Sequence, residues 1–200
     1  MTVKQNNFEW GEKLPRLESE RLLLTQMSED DSSQVLAIFS DPEVMRYWGM
    51  APLKDADDAI RFIRETNKSF TERELFGWGV RLKETGKLIG TCTLLNFDAQ
   101  NKRAEIGSAV IRKHWGKGVA TEAAATLISF AFDTLKLHRL EADVDPKNTA
   151  SLRVLEKFGF KKEGLLRERW HQMGEIQDSV FLGLLRREWN GSGDDETEIG

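Results

Sequence analysis

The chain has 200 residues, of which 31% are charged and 40% hydrophobic, with a formal net charge of -4. That length suits one compact domain with a sizeable core, and an acidic balance without a basic stripe lacks the electrostatic footprint of a nucleic-acid binder. Cys92 is the sole cysteine, which excludes an internal disulfide and falls short of a cysteine zinc site.

No run approaches the ~18 apolar residues of a membrane span. The opening segment, MTVKQNNFEWGEKLPR, lacks the apolar run of a signal peptide. A cytoplasmic protein with no metal, no membrane and no nucleic-acid partner is expected. Residues 190–200 (NGSGDDETEIG) are acidic and without apolar anchors. They read as a disordered tail behind a single domain spanning 1–189.

Residues 21–27 (RLLLTQM) read as a first strand. Ser28 looks like a helix N-cap, with Glu29, Asp30 and Asp31 in the first turn. That helix carries Val35, Leu36 and Phe39 inward and stops near Asp41-Pro42. A second helix spans about 56–70, with Ile60, Ile63 and Phe70 as its apolar positions. The pattern then turns to alternation: 76–82 sets Trp78, Val80 and Leu82 on one face, a turn follows at 84–87, and 88–95 pairs back as a hairpin. Residues 103–112 form a fourth strand.

Helical spacing is clearest at Ala120, Ala124, Leu127, Ile128, Ala131 and Leu135. A fifth strand at 139–144, a turn at 145–148, a short helix at 149–157 closed by Gly159, and two late strands near 160–169 and 177–185 complete the order. The result is β-α-α-β-β-β-α-β-α-β-β, an α/β (α+β) domain without internal repeat or linker.

The most informative segment is WGKGVATEAA at 115–124, between a strand and a helix. Gly116 and Gly118 let the backbone approach a ligand closely. Successive N–H groups at a helix N-terminus favour a pyrophosphate, and Lys117 can add a charge. A P-loop is excluded because Gly118, not Ser or Thr, follows Lys117. A dinucleotide fingerprint is disfavoured because the segment lies past mid-chain, after three antiparallel strands.

At these residues the chain resembles the GCN5-related N-acetyltransferases. Their coenzyme A loop reads Gln/Arg-x-x-Gly-x-Gly/Ala, and Gly118 and Ala120 fall on its last two fixed positions. Trp115 falls on the first, a departure that looks like the RimJ/RimL subgroup acting on ribosomal-protein N-termini. LESERLLL at 17–24, DPEVMRYWG at 41–49, AEIG at 104–107, KNTASLRVLEKFGFKKEG at 147–164 and REW at 187–189 extend the resemblance over 17–189.

The resemblance implies a mixed, mostly antiparallel sheet of six to seven strands, splayed between its fourth and fifth. It implies acetyl-CoA as cosubstrate, held by Ala109, Val110, Ile111, Trp115, Gly116, Lys117, Gly118, Val119, Ala120, Thr121, Asn148 and Ser151. Asn148 and Ser151 match the family's Asn-x-x-Ser: Asn148 would bind the pantetheine arm, and Ser151 would give a proton to the leaving thiolate. The only tyrosine, Tyr47, lies far upstream.

Attack of an amine on a thioester needs a deprotonated nucleophile, a polarised carbonyl and a protonated leaving group. Glu105 is the candidate base, with a surface acid paired to Lys102 or Arg103 as its ordinary alternative. Relatives can carry a base glutamate where this chain has Trp170, two residues after Glu168. Tyr47, Trp48 and Trp78 are candidate walls of the acceptor groove, together with Met45 and Arg46, against ordinary packing.

His114, His138 and His171 have no metal-pair spacing. The expected acceptor is a protein N-terminal α-amine such as that of a ribosomal protein, with a small amine (polyamine, amino acid or antibiotic) as the alternative. A non-catalytic acyl-CoA-binding module is the reading from another class. A monomer or homodimer is expected.

Overall fold

A computed structural model of the chain describes residues 10–172 and 174–191. The expected acidic tail falls, from residue 192 on, outside the described residues. Eight strands form one sheet: β1 (Leu17–Glu18), β2 (Leu22–Thr25), β3 (Phe76–Leu82), β4 (Leu88–Asp98), β5 (Arg103–Val110), β6 (Arg139–Val144), β7 (Lys161–Gln172) and β8 (Glu175–Leu185). Their spatial order is β1-β2-β3-β4-β5-β6-β8-β7. The eighth strand is the two-residue β1, too short to leave a periodic signal.

The helices are α1 (Ser32–Phe39), α2 (Pro42–Met45), α3 (Ala56–Thr71), α4 (Val119–Ser129) and α5 (Thr149–Lys157). The first helix ends at Phe39, just before Asp41-Pro42 as expected, and the same pair starts α2: the Asp41 carboxylate accepts the Glu43 N–H at 3.0 Å, and proline is at home in a first turn. Ser28 precedes a 3₁₀ turn at Glu29–Asp31 rather than α1 itself. The long helix expected through residue 135 widens after Ser129 into a π turn, Phe130–Thr134. Phe130, Ala131 and Phe132 are all buried there, which a single α-helical face does not allow for three consecutive residues.

Every strand pair is antiparallel except β5–β6. That parallel ladder runs through Arg103–Arg139, Ala104–Leu140 and Glu105–Glu141 and then stops. Both strands continue on their outer sides, β5 against β4 as far as Val110 and β6 against β8 as far as Val144. The sheet therefore opens into a wedge beyond Glu105 and Glu141, as expected.

Alternation decides what faces each side. Leu140, Ala142 and Val144 of β6 join Ala104 of β5 and the inner faces of α4 and α5 in the larger core. Arg139, Glu141 and Asp143, with Arg103 and Glu105, consequently lie on the opposite side. There α1 and α3 form a second core with Met27, Leu88 and Ala109. The outer strand β7 is exposed from Lys161 to His171.

Candidate active site

The wedge leaves backbone groups of β5 without a strand partner. The Ile111 N–H donates to the Ile89 carbonyl at 2.9 Å. In an antiparallel ladder the bonded residues alternate, so Ala109 and Gly107 also turn toward β4, while Ser108 and Val110 turn toward the wedge. Of the stretch 109–111, Val110 is thus the residue that offers its N–H and C=O to an extended ligand. The Val110 carbonyl accepts the Trp115 indole N–H at 2.6 Å, and a carbonyl keeps a second lone pair.

The glycine loop stands at the same end of β5. Gly116 and Gly118 have φ of +72° and +76°, values that suit glycine because a Cβ is strained there. Gly118 is the N-cap of α4, so Val119, Ala120 and Thr121 present the first helical N–H groups. A Cβ built on Gly116 meets nothing within 4 Å, and one on Gly118 meets only the Arg21 guanidinium at 3.2 Å. This open, Cβ-free side above unpaired helical donors fits a pyrophosphate.

The loop is braced from behind by a long-range contact that sequence reasoning missed. Glu122, in the first turn of α4, accepts from the Ser19 hydroxyl at 2.6 Å, the Arg21 backbone N–H at 2.7 Å and the Arg21 Nε at 2.7 Å. Arg21 also donates to the Lys117 carbonyl at 3.0 Å. Burial alone pushes the Glu122 carboxyl up, but the Ser19 and Arg21 donors outweigh it and the net shift is downward.

Asn148 is the N-cap of α5, its side-chain oxygen accepting the Ser151 N–H at 3.2 Å. Capping uses the oxygen and leaves the amide NH₂ for another partner. The Tyr47 hydroxyl donates to the Lys147 carbonyl at 3.3 Å, which brings the segment after α2 against the turn carrying Asn148. A small cleft of about 160 Å³ lies between that turn and the start of β8, lined by Asp145, Pro146, Lys147, Ile176, Gln177 and Asp178. A larger hollow, about 660 Å³, is lined by β7 residues 165–169 alone, so it is an open groove beside one strand.

Glu105 is half-buried on the open face and accepts from the Asn96 amide at 2.8 Å. Among the described residues it forms no ion pair with Lys102 or Arg103; Arg103 pairs instead with Glu141 and Asp98. Burial pushes the Glu105 carboxyl up, the Asn96 bond opposes this, and the nearby charges of Asp143 and Glu141 add to it. A carboxyl held above its ordinary value is a better proton acceptor.

Its neighbours are neutralised. Glu141 lies between Arg103 and Arg139, at 2.6 and 2.8 Å. Asp143 accepts from Arg169 Nε and the Trp170 indole, each at 3.1 Å, and from the Ser179 hydroxyl. Trp170 is thus an anchor for Asp143. Glu168 is exposed on a bulge of β7 with φ of +54°, its backbone N–H bound to Asp178 at 2.8 Å.

The aromatic candidates separate. Tyr47 and Trp48 are partly exposed, Trp48 packing edge-on against Phe39 with ring centroids 5.2 Å apart. Trp78 is fully buried, with its indole N–H on the Pro15 carbonyl at 2.7 Å and its ring against Phe76 and Phe130. It has no surface to offer an acceptor and is a core residue. Met45 is likewise buried.

His138 and His171 are exposed, and His114 sits in a 3₁₀ turn. Among the described residues no group of His, Cys, Asp or Glu is placed to hold a metal ion, and no helix is long and apolar enough to cross a membrane.

Residues 21–161 match the acetyltransferase (GNAT) domain family. The uncharacterized N-acetyltransferase p20 of Bacillus licheniformis is 40% identical over 175 residues, covering 88% of this chain and 98% of that protein. The uncharacterized N-acetyltransferase YoaA of Bacillus subtilis is 37% identical over 172 residues, covering 86% and 97%. Among solved structures, Mycobacterium smegmatis RimJ in complex with CoA-disulfide has the same fold, with a TM-score of 0.82 at 22% identity, covering 90% of this chain and 91% of that one. At 23% identity over 166 residues, 83% of this chain and 87% of that protein, the chain also matches the spermidine N(1)-acetyltransferase of Escherichia coli. The wedge beside β5, the glycine loop opening α4 and these relatives together make the chain a member of the GNAT acetyltransferase family, an acetyl-CoA-dependent N-acetyltransferase.

Proposed function

We propose that the enzyme moves the acetyl group of acetyl-CoA directly to a protein N-terminal α-amine. The observation that carries this reading is Glu105, a half-buried carboxylate with no ion pair among the described residues, on the open face where the β5–β6 ladder ends. The pyrophosphate would rest on the N–H groups of residues 116–121, and the pantetheine arm would pair with Val110 and the free Asn148 amide. Lys117 adds charge at the loop.

Glu105, acting through a water, would take the proton that the amine sheds as its nitrogen attacks the thioester carbonyl. A backbone N–H of β5 would polarise that carbonyl. As the C–S bond breaks, the Ser151 hydroxyl would supply the proton to the thiolate and recover one from solvent. Tyr47 and Trp48 would line the approach of the acceptor.

Charge on the open face bears on the acceptor. Glu141 and Asp143 are paired with arginines, and Glu105 is the acid of the three without an ion pair among the described residues. One uncompensated acid matches a single ammonium group better than a chain of several. RimJ as a structural neighbour supports the same choice. The matched spermidine acetyltransferase keeps a polyamine as the second reading. The test is to incubate peptides bearing both a free N-terminus and an internal lysine, and in parallel spermidine, with acetyl-CoA and locate the acetyl group by fragmentation mass spectrometry. Acetyl on the α-amine supports the reading; acetylation of spermidine alone replaces it with the second.

A further inference from the structure

Asp143 lies on β6 two residues beyond Glu141, on the same face and on the side where β5 and β6 part. Its side chain is only 6% exposed. It collects three donors: the Arg169 Nε and the Trp170 indole, each at 3.1 Å, and the Ser179 hydroxyl. Trp170 and Ser179 are neutral donors and hold the carboxylate without cancelling its charge. Arg169 is its one cationic partner among the described residues, whereas Glu141 has both Arg103 and Arg139. The Arg169 guanidinium also lies 5.4 Å from the centroid of the Trp170 ring, so it is held from two sides.

The open face therefore carries two acids whose charges act on each other, Glu105 and Asp143, and a single arginine that covers the second. Glu105 and Glu141 are neighbours across the ladder. The backbone of Asp143 is thus about 7 Å along and about 5 Å across from that of Glu105, before the splay is added. A polyamine, with ammonium groups three or four methylenes apart, can address both acids if both are charged and uncovered. An acceptor with one ammonium addresses only the first. We propose that Arg169 is a specificity-determining residue: by neutralising Asp143 it denies a polyamine its second anion and favours an acceptor with a single amine. The proposal rests on the reading of Glu105 as the acid that meets the acceptor. Arg169 acts through Asp143, as a positioning residue.

The experiment measures kcat/KM of the full chain with spermidine and with a peptide whose only amine is its N-terminus, at pH 8. Arg169→Gln is expected to raise the spermidine-to-peptide ratio roughly fivefold, the scale of one ion pair a few ångströms apart near a protein surface. Arg169→Lys keeps the charge and is expected to stay near the wild-type ratio. Adding Asp143→Asn to Arg169→Gln removes the uncovered acid and is expected to return the ratio to that of wild type. If Arg169→Gln does not fold, Arg169→Met, which keeps an apolar stem against the Trp170 ring, is read in the same way.

A second readout is the pH profile. Glu105 is faced by Asn96 of β4, by Glu141 and Asp143 of β6 and by Arg169 of β7. Arg169→Gln removes the cation of that group, so the acidic limb of kcat/KM with the peptide is expected to move to higher pH. An unchanged ratio would overturn the proposal. Equal losses with both acceptors would do so as well, since Arg169 would then merely shape the hairpin, and so would a raised ratio that persists in the double variant. A wild type that acetylates spermidine and no peptide would overturn the proposal together with the reading beneath it, an outcome seen before any variant is made.

Discussion

The Tyr47 hydroxyl donates to the Lys147 carbonyl at 3.3 Å and joins two segments a hundred positions apart. One is the end of α2, on the side of α1 and α3. The other is the turn that presents Asn148 and Ser151. The bond ties the segment after α2 to that turn, and under the proposed function it sets an aromatic ring with a polar tip beside the approach of the acceptor amine.

Tyr47→Phe keeps the ring and removes the hydroxyl. A single neutral hydrogen bond contributes about 1 kcal/mol, so the acceptor KM is expected to rise roughly threefold to tenfold. Coenzyme A affinity should stay within about twofold. Steady-state kinetics with varied acceptor, beside a direct coenzyme titration, separates the two.

Gly118 has φ of +76° at the first turn of α4. Gly118→Trp imposes a Cβ on a left-handed backbone and a ring on the face proposed to receive the phosphates. Coenzyme binding is expected to be lost in a titration while the thermal unfolding transition remains cooperative. Unchanged affinity would remove the loop from the site.

Ser151 shares the first turn of α5 with the Asn148 cap. Ser151→Ala leaves its own backbone N–H, and so the cap, in place. It is expected to lower kcat about a hundredfold, the lower end for loss of a general acid, with coenzyme affinity within about twofold. A wild-type rate would take Ser151 out of the mechanism.

Glu105 carries a pH signature in both rate and stability. Its carboxyl lies above the ordinary value near 4.5, chiefly because burial disfavours the charged form. As a base it must be ionised, so kcat/KM is expected to fall as pH drops through this raised value, and Glu105→Gln should lose that limb of the profile. The stability effect has the opposite direction. A group with a raised folded-state pKa contributes fully below its unfolded value and loses that contribution as pH rises through the folded one. Glu105→Gln is therefore expected to melt higher than wild type at neutral pH, with the gap closing below about pH 4. Melting curves across pH measure this.

The sequence disclosed elements whose periodicity is long and local. Strands 76–82 and 139–144 and helix 149–157 lie where alternation, turn residues and Gly159 put them. The two-residue β1 has no period to read, and Asp41-Pro42 signals a helix start as readily as a stop. The glycine loop was legible because its chemistry sits in consecutive residues. Its brace was not: Arg21 and Glu122 meet across 101 positions, and nothing in either neighbourhood names the other.

Trp78 shows a different limit. Alternation put it on one face of a strand, but which face meets the core depends on the helices packed above it, so a core tryptophan and a groove tryptophan look alike in sequence. Asp143 was hidden for the same reason. It shares a face with Glu105 only because β5 and β6 run parallel in register at Glu105 and Glu141.

The most direct test of the central claim is release of free coenzyme A thiol from acetyl-CoA. The panel would hold peptides with Ser, Ala or Met N-termini, spermidine and free amino acids. The account predicts rapid release with at least one N-terminal peptide, slow release without acceptor, and loss of the acceptor-dependent rate in Glu105→Gln at neutral pH. Equal release with and without every acceptor, or an unchanged rate in Glu105→Gln, would contradict it.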